Sequence, residues 1–237
     1  MIMINKTKRL MVSRQVKIPR KTYFWGPTPN PGMHPKDQSV TLLSIIRDYL
    51  KLSDKEREAA RILANGLVKV DGKTVREKKF AVGFMDVIEI NGESYRVVYN
   101  DQGALVLMKE TKERASMKLL KVRSKVIAPG NRIQLGTHDG RTFITDDKSK
   151  KVGDVWAVSV PDMKISEIIK MQPGNKAYIT AGSHVNQTGT ISKIEAKEGS
   201  SANLVHFQEG FSTIKDHVFM IGSSKFSFVL SPEEVIP

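Results

Sequence analysis

The chain predicts an α+β protein of several units: a basic, extended N-terminal arm over residues 1–41, two helices on a small sheet over 42–105, a β-rich central domain over 106–170, and a C-terminal β-barrel with its tail over 171–237. Three observations carry this reading. A capped amphipathic stretch from Ser53 to Gly66 runs directly into a turn at Asp71-Gly72; short β-branched segments separated by Gly, Pro and Asn fill the chain from Leu119 onward; and five prolines from Pro19 to Pro35 precede both. With 237 residues, 40% of them hydrophobic, the chain can build more than one core, and the composition argues against global disorder.

The first helix is read from Val40 to Leu50, where Leu42, Leu43, Ile46, Tyr49 and Leu50 share one face. A short link leads to the second. Ser53 and Glu56 have capping-box spacing, each able to satisfy a backbone N–H of the other for ~1 kcal/mol, so the second helix starts near Asp54. Ala59, Ile62 and Leu63 form its apolar stripe, and Gly66 after Asn65 has the chemistry of a C-terminal cap. Leu67, Val68 and Val70 then run into Asp71-Gly72, whose tolerance of positive φ favours a type I′ hairpin, with Thr74-Val75 leading out.

Asn91-Gly92 marks a second hairpin between Asp86–Ile90 and Ser94–Tyr99, and Ala104–Met108 reads as the next strand. Lys109 to Lys118 is charged and poor in β-branched residues, which predicts a short helical connector or loop. Strands follow over 119–127, 132–135, 141–144, 155–160 and 165–171, with a turn at Pro129-Gly130-Asn131. Past Pro173-Gly174-Asn175, Tyr178–Thr180 and Gln187–Ile191 flank a polar loop. In the arm, Pro19, Pro27, Pro29, Pro31 and Pro35 exclude a helix or a ladder through residues 19–35, so this part is expected to be extended.

The charge points to a polyanion. Thirty-eight Lys and Arg against 25 Asp and Glu give +13, and the surplus is uneven: residues 1–41 hold eight cations against Asp37 alone, a net of +7. The candidate contacts are Lys6, Lys8, Arg9, Arg14, Lys17, Arg20, Lys21 and Trp25 in the arm, Arg47, Lys51, Lys55, Arg57 and Arg61 on the outside of the helices, Lys69 and Lys73 on the hairpin, and Arg141. Arg141 could serve either RNA phosphate or its own turn. Tyr23, Phe24 and Trp25 beside Arg20-Lys21 suit stacking on bases, or else packing on the protein's own core to anchor the arm. No apolar run approaches the ~20 residues that span a bilayer, and Met-Ile-Met-Ile is too short for a signal core, so no membrane partner is expected. With no cysteine there are no disulfides and no thiolate metal sites, which fits a reducing compartment.

The run EAARILANGLVKVDGKTV, followed by a Gly and then Asp-Val-Ile-Glu-Ile, resembles the RNA-binding domain named after bacterial ribosomal protein S-four. Gly182, the polar loop after it, and Gly189-Thr-Ile resemble the KOW motif of Src-homology-3-like barrels, with Asn186 where a middle Gly is common; Asn tolerates the left-handed conformation next best. Ile18-Pro-Arg-Lys, Gly83-Phe-Met-Asp-Val-Ile, Lys121-Val-Arg, Thr137-His-Asp-Gly-Arg-Thr and Val218-Phe-Met-Ile-Gly occur with these in one order, and over essentially the whole chain this is similar to the ribosomal protein S-four-e family. The resemblance implies a structural rRNA-binding protein of the small ribosomal subunit, in the cytoplasm, with neighbouring ribosomal proteins as partners and no catalytic residues. The ending Pro232-Glu-Glu, in place of a longer basic tail, matches the archaeal branch.

Enzyme readings find little support. Gly72-Lys73-Thr74 resembles the end of a phosphate-binding loop, but Leu67 stands where that loop requires Gly. His138-Asp139 has no defined nucleophile beside it and reads as a turn pair; His184, His206 and His217 lack metal-ligand spacing. No cofactor, metal, small-molecule substrate or homo-oligomer is expected. The alternatives to a structural ribosomal role are a free RNA-binding assembly or elongation factor, or an rRNA-modifying enzyme, which would need a catalytic domain.

Overall fold

A computed structural model of the chain describes residues 7–130, 132–199, 201–223, 226–228, 230 and 235–236. Lys6, Asn131 and Pro232-Glu-Glu, all singled out above, lie outside that set. The N-terminal segment is folded down rather than free. Strand β1 (Thr7–Lys8) pairs antiparallel with β2 (Trp25–Gly26), closing the segment on itself. Val16 and Ile18 enter the main core, and Val16 bridges to Leu105. The prolines exclude a helix through residues 19–35, but a two-residue ladder forms at Trp25–Gly26, between Pro19 and Pro27, and two apolar anchors and the buried His34 hold the extended segment to the core.

Strand β3 (Ser39–Thr41) pairs with Ala81–Gly83, so the first helix begins two residues later than its apolar spacing suggested. Thr41 caps α1 (Leu42–Ser44), its hydroxyl accepting from the Ser44 N–H at 3.2 Å, and the helix continues as a π turn over Ile45–Tyr49. Helix α2 (Glu56–Ala64) also starts late. The Glu58 carboxylate accepts from the N–H groups of Asp54 and Lys55 at 3.0 and 3.2 Å, while the Ser53 hydroxyl is buried without a partner. The expected Ser53–Glu56 box is thus displaced: one carboxylate satisfies both orphan donors two residues further on. The C-terminal cap falls where read, with Gly66 at φ 73°.

The hairpin signals hold. Asp71 and Gly72 have φ of 49° and 71°, Asn91 and Gly92 of 52° and 85°, and they join β4 (Val68–Val70) to β5 (Lys73–Thr74) and, after β6 (Ala81–Gly83), β7 (Val87–Ile90) to β8 (Glu93–Tyr99). β4, β5, β7 and β8 with β9 (Leu105–Glu110) form the first sheet, whose far edge is a short final strand paired along Met108 and Leu107, while β6 pairs with β3. After α3 (Lys112–Ala115) come β10 (Met117–Ala128), β11 (Arg132–Thr137), β12 (Thr142–Thr145), β13 (Val155–Ser159) and β14 (Ile165–Ile169), an antiparallel sheet in the order β12-β11-β10-β13-β14. The last sheet holds β15 (Lys176–Ile179), β16 (Thr188–Glu195), β17 (Leu204–Phe207), β18 (Ser212–Ile214) and β19 (Val218–Gly222) in the order β18-β17-β16-β15-β19; the strand at the edge of the first sheet is β20 (Val235–Ile236). Asn186 has φ 68°, so Asn fills the left-handed position as expected. The architecture is α+β, dominated by three sheets.

One core runs from the helices and first sheet to the C-terminal sheet, through Ile46, Leu63, Ile88, Leu105, Tyr178 and Phe219; a second, of Leu120, Val122, Ile133, Leu135, Trp156 and Val158, fills the central sheet. Each such side chain contributes ~1.5–3 kcal/mol of burial. Lys118, expected in a solvated connector, is instead fully buried on β10. Its partners come from turns remote in sequence, a pairing that local composition does not reveal.

Candidate nucleic-acid interface

The cations sort into two populations, those the fold consumes and those it leaves free. Lys118 is the centre of the first. Its ammonium sits 2.7 Å from Asp71, 2.5 Å from Asp86 and 3.2 Å from Asp139, all buried. Arg141 closes the same cluster, 2.6 Å from Asp71 and 2.9 Å from Asp139, and His34 lies 2.9 Å from the other oxygen of Asp86. Burial pushes the Asp86 carboxyl up, but His34 and Lys118 together hold it far below the usual carboxylate range. Burial and the neighbouring Asp86 raise Asp71. Gly83 is required beside this cluster, because a Cβ there would overlap the His34 ring. The alternative left open for Arg141 is thereby decided in favour of protein partners.

Other predicted contacts are also spent inside the fold. Arg9 is only 2% exposed: its guanidinium donates to the Pro19 carbonyl, pairs with Asp48 at 3.6 Å and lies over the Tyr23 ring. That corrects its assignment to an RNA-facing arm, since a buried, paired guanidinium has no surface to offer. Arg20 donates to the carbonyls of Val12 at 2.7 Å and Ser13 at 3.0 Å, tying the segment to itself. Arg47 is held bidentately by Asp48 at 3.0 and 2.8 Å. Lys69 stands 3.7 Å from Glu89, an exposed pair.

The free population is what remains. Arg14, Lys17 and Lys21 in the N-terminal segment, Lys51, Lys55, Arg57 and Arg61 along the helices, and Lys73 on the hairpin are exposed and form no ion pair among the described residues. Arg57 and Arg61 are one turn apart on α2, whose opposite face buries Ala59 and Leu63. The aromatic group stands with the cations: Tyr23, Phe24 and Trp25 are 67%, 64% and 52% exposed. Phe24 and Trp25 meet edge to face at 4.8 Å, and the Lys8 ammonium lies 5.3 Å above Phe24. These rings do not enter the core, so anchoring falls to Val16 and Ile18.

Among the described residues no group of His, Cys, Asp and Glu is arranged to hold a metal ion, and no helix is long and apolar enough to cross a membrane. The residues missed by sequence reasoning are Lys118 and Arg96. The Arg96 guanidinium is buried and donates to Glu110 at 2.7 Å and to the carbonyls of Met85, Arg114 and Met117 at 2.8–3.2 Å, clamping α3 to the first sheet. The available signal was a cation set between apolar residues within a strand, Tyr95 and Val97 beside Arg96 and Met117 and Leu119 beside Lys118.

A family model described as Ribosomal family S4e matches residues 91–165. The chain is 75% identical over 235 residues to the small ribosomal subunit protein eS4 of Thermoplasma volcanium, covering 99% of this chain and 100% of that one. It is 47% identical to the protein of the same name from Picrophilus torridus, over 98% and 99% of the two chains. A crystal structure of the 30S ribosomal protein S4e from Thermoplasma acidophilum superposes with a TM-score of 0.75 at 97% identity, spanning 82% of this chain and 100% of that one.

Proposed function

The chain belongs to the ribosomal S4e family, in an archaeal form, and from that premise we propose that it is a structural constituent of the small ribosomal subunit, in the cytoplasm, that grips rRNA through the unpaired cations of its N-terminal segment and helices. It is not an enzyme. The carrying observation is the division of cations: Arg9, Arg20, Arg47, Arg96, Lys118 and Arg141 are spent on internal partners, whereas Arg14, Lys17, Lys21, Lys51, Lys55, Arg57, Arg61 and Lys73 are exposed and form no ion pair among the described residues. Phosphates are the ligand that such a surface fits, because each neutralised phosphate releases condensed counterions. Recognition of this kind positions the protein on RNA shape without a base code.

Within this reading the two helices and first sheet form an S-four-type RNA-binding domain, the C-terminal sheet is a KOW-type element related to Src-homology-3-like barrels, and a single copy joins rRNA and neighbouring ribosomal proteins. The test is the salt dependence of binding to small-subunit rRNA. Replacing Arg14, Lys17 and Lys21 by Gln should reduce the log-log slope by ~0.7–0.9 for each phosphate that is no longer neutralised. Point changes are needed because deleting the segment would strip Val16 and Ile18 from the core. An unchanged slope would show that these three cations do not touch RNA, and a protein sedimenting wholly apart from small subunits would favour a free RNA-binding factor instead.

A further inference from the structure

The N-terminal segment and all three sheets meet around one cleft of about 410 Å³ that the cationic surface above does not use. That volume lies within the ~300–1,000 Å³ typical of small-ligand sites. Its mouth and its interior differ in chemistry. At the mouth, Lys121, Arg123 and Lys215 converge, with Asp216 beside them. The Lys121 ammonium donates to the Asp216 carbonyl at 2.7 Å, and neither Arg123 nor Lys215 forms an ion pair among the described residues. Burial, with smaller contributions from Arg123 and Lys215 and against the opposing Asp216, lowers the Lys121 pKa to about 8.

Further in, the wall is aromatic. Phe84 lies 5.1 Å from Tyr99 and 5.0 Å from Phe219, and His138 5.4 Å from Phe219. His138 is fully engaged: it accepts from the Lys121 N–H at 3.2 Å and so carries its proton on the nitrogen facing the Phe84 carbonyl, also 3.2 Å away. Gln15 is different. Its side-chain carbonyl oxygen is buried and receives no hydrogen bond, although the residue lines the cleft. A buried acceptor left unmatched is destabilising until a donor meets it.

Three needs therefore coincide: an anion at the mouth, an apolar surface against the aromatic wall, and an N–H donor for Gln15. We propose that the cleft takes one nucleotide unit of RNA, its phosphate on Lys121, Arg123 and Lys215 and its base against the aromatic wall, with an amino or imino N–H toward Gln15. The proposal rests on the rRNA-binding reading above and adds a discrete site to it.

The test uses the full chain in two measurements. First, NMR titration with AMP, CMP, GMP, UMP and inorganic phosphate should shift signals of His138, Phe219 and Gln15 with nucleotides, and only those of the three mouth cations with phosphate. Arg123→Gln combined with Lys215→Gln, both at the rim of the cleft, should weaken nucleotide binding at least tenfold, and Gln15→Leu should erase preference among the bases. Phosphate reproducing every nucleotide effect, or nucleotides leaving these signals unmoved, would overturn the site. Second, filter retention of small-subunit rRNA should fall for the same variants. Wild-type retention by these variants would overturn RNA as the source of the nucleotide while leaving the cationic surface intact. Failure of the unmodified chain to retain rRNA would overturn both readings together.

Discussion

The ammonium of Lys118 lies 2.5 Å from a carboxylate oxygen of Asp86, and neither side chain reaches solvent. The pair joins β10 of the central sheet to the turn before β7 of the first, and Asp139, from a turn of the central sheet, reaches the same ammonium at 3.2 Å. One buried cation thus compensates several buried carboxylates. Lys118→Met should leave these carboxylates with only Arg141 and His34 as partners and destabilise the fold by ~3–5 kcal/mol, the range for breaking a buried pair from one side. Urea unfolding reads this directly; a midpoint within error of the unmodified chain would mean that Arg141 and His34 suffice.

A pH dependence follows from His138. Burial, with Lys118 and His34 adding to it and Asp139 opposing, lowers its pKa from 6.5 to about 4. In the unfolded chain the ring takes its proton first, so its contribution is complete above pH 6.5 and disappears as pH falls to about 4. The shift corresponds to ~2–3 kcal/mol once the solvent-facing edge of the ring is discounted. The depressed pKa values of Asp86 and Asp139 act in the same direction at lower pH: their stabilisation is present above the unfolded carboxylate range and fades below it, while the raised Asp71 opposes them. His138→Gln should flatten the stability profile between pH 6.5 and 4 without altering it below. Equal slopes for the two proteins would assign the acid sensitivity elsewhere.

Turn chemistry was legible in the sequence because it is local. Asp71-Gly72, Asn91-Gly92, Gly66 and Asn186 all adopt the positive φ that their residue types suggested. Helix starts were less legible, since Glu56 and Glu58 both lie within reach of the N-terminal donors, and only the folded geometry selects Glu58. The N-terminal segment was misjudged for a related reason. Val16 and Ile18 look like isolated apolar residues among cations, and their burial depends on a bridge to Leu105, far along the chain. The centre of the cation division was not legible: Lys118 meets Asp71 and Asp86 across separations of 47 and 32 residues, and no composition window spans them.

On α2, Arg57 and Arg61 are exposed and form no ion pair among the described residues, while Ala59 and Leu63 are buried. Changing both arginines to Gln keeps the helix propensity and removes only charge. Stability should move by less than ~0.5 kcal/mol, whereas the salt slope of rRNA binding should drop by ~0.7–0.9 for each residue that touches a phosphate. Calorimetry and filter binding on the same preparation separate the two effects. Loss of the thermal transition would move these arginines from the binding surface to the structure.

Trp25 offers the sharpest optical test, because the chain has two tryptophans and the other, Trp156, is fully buried in the central core. Trp25 is 52% exposed, held edge to face with Phe24 and opposite Lys8 in the β1–β2 pair, so its ring presents an apolar face beside a cation at little ordering cost. A base stacking there should quench its fluorescence while Trp156 stays silent, and Trp25→Phe should abolish the signal without preventing binding. Trp25→Ala should weaken rRNA binding by ~1–3 kcal/mol, the worth of one base–aromatic stack. Stability should change little, since the ring contributes nothing to the core. Full quenching in the Trp25→Phe protein would trace the signal to Trp156 and so to a rearrangement of the central sheet, leaving the exposed aromatic cluster without a role in RNA contact.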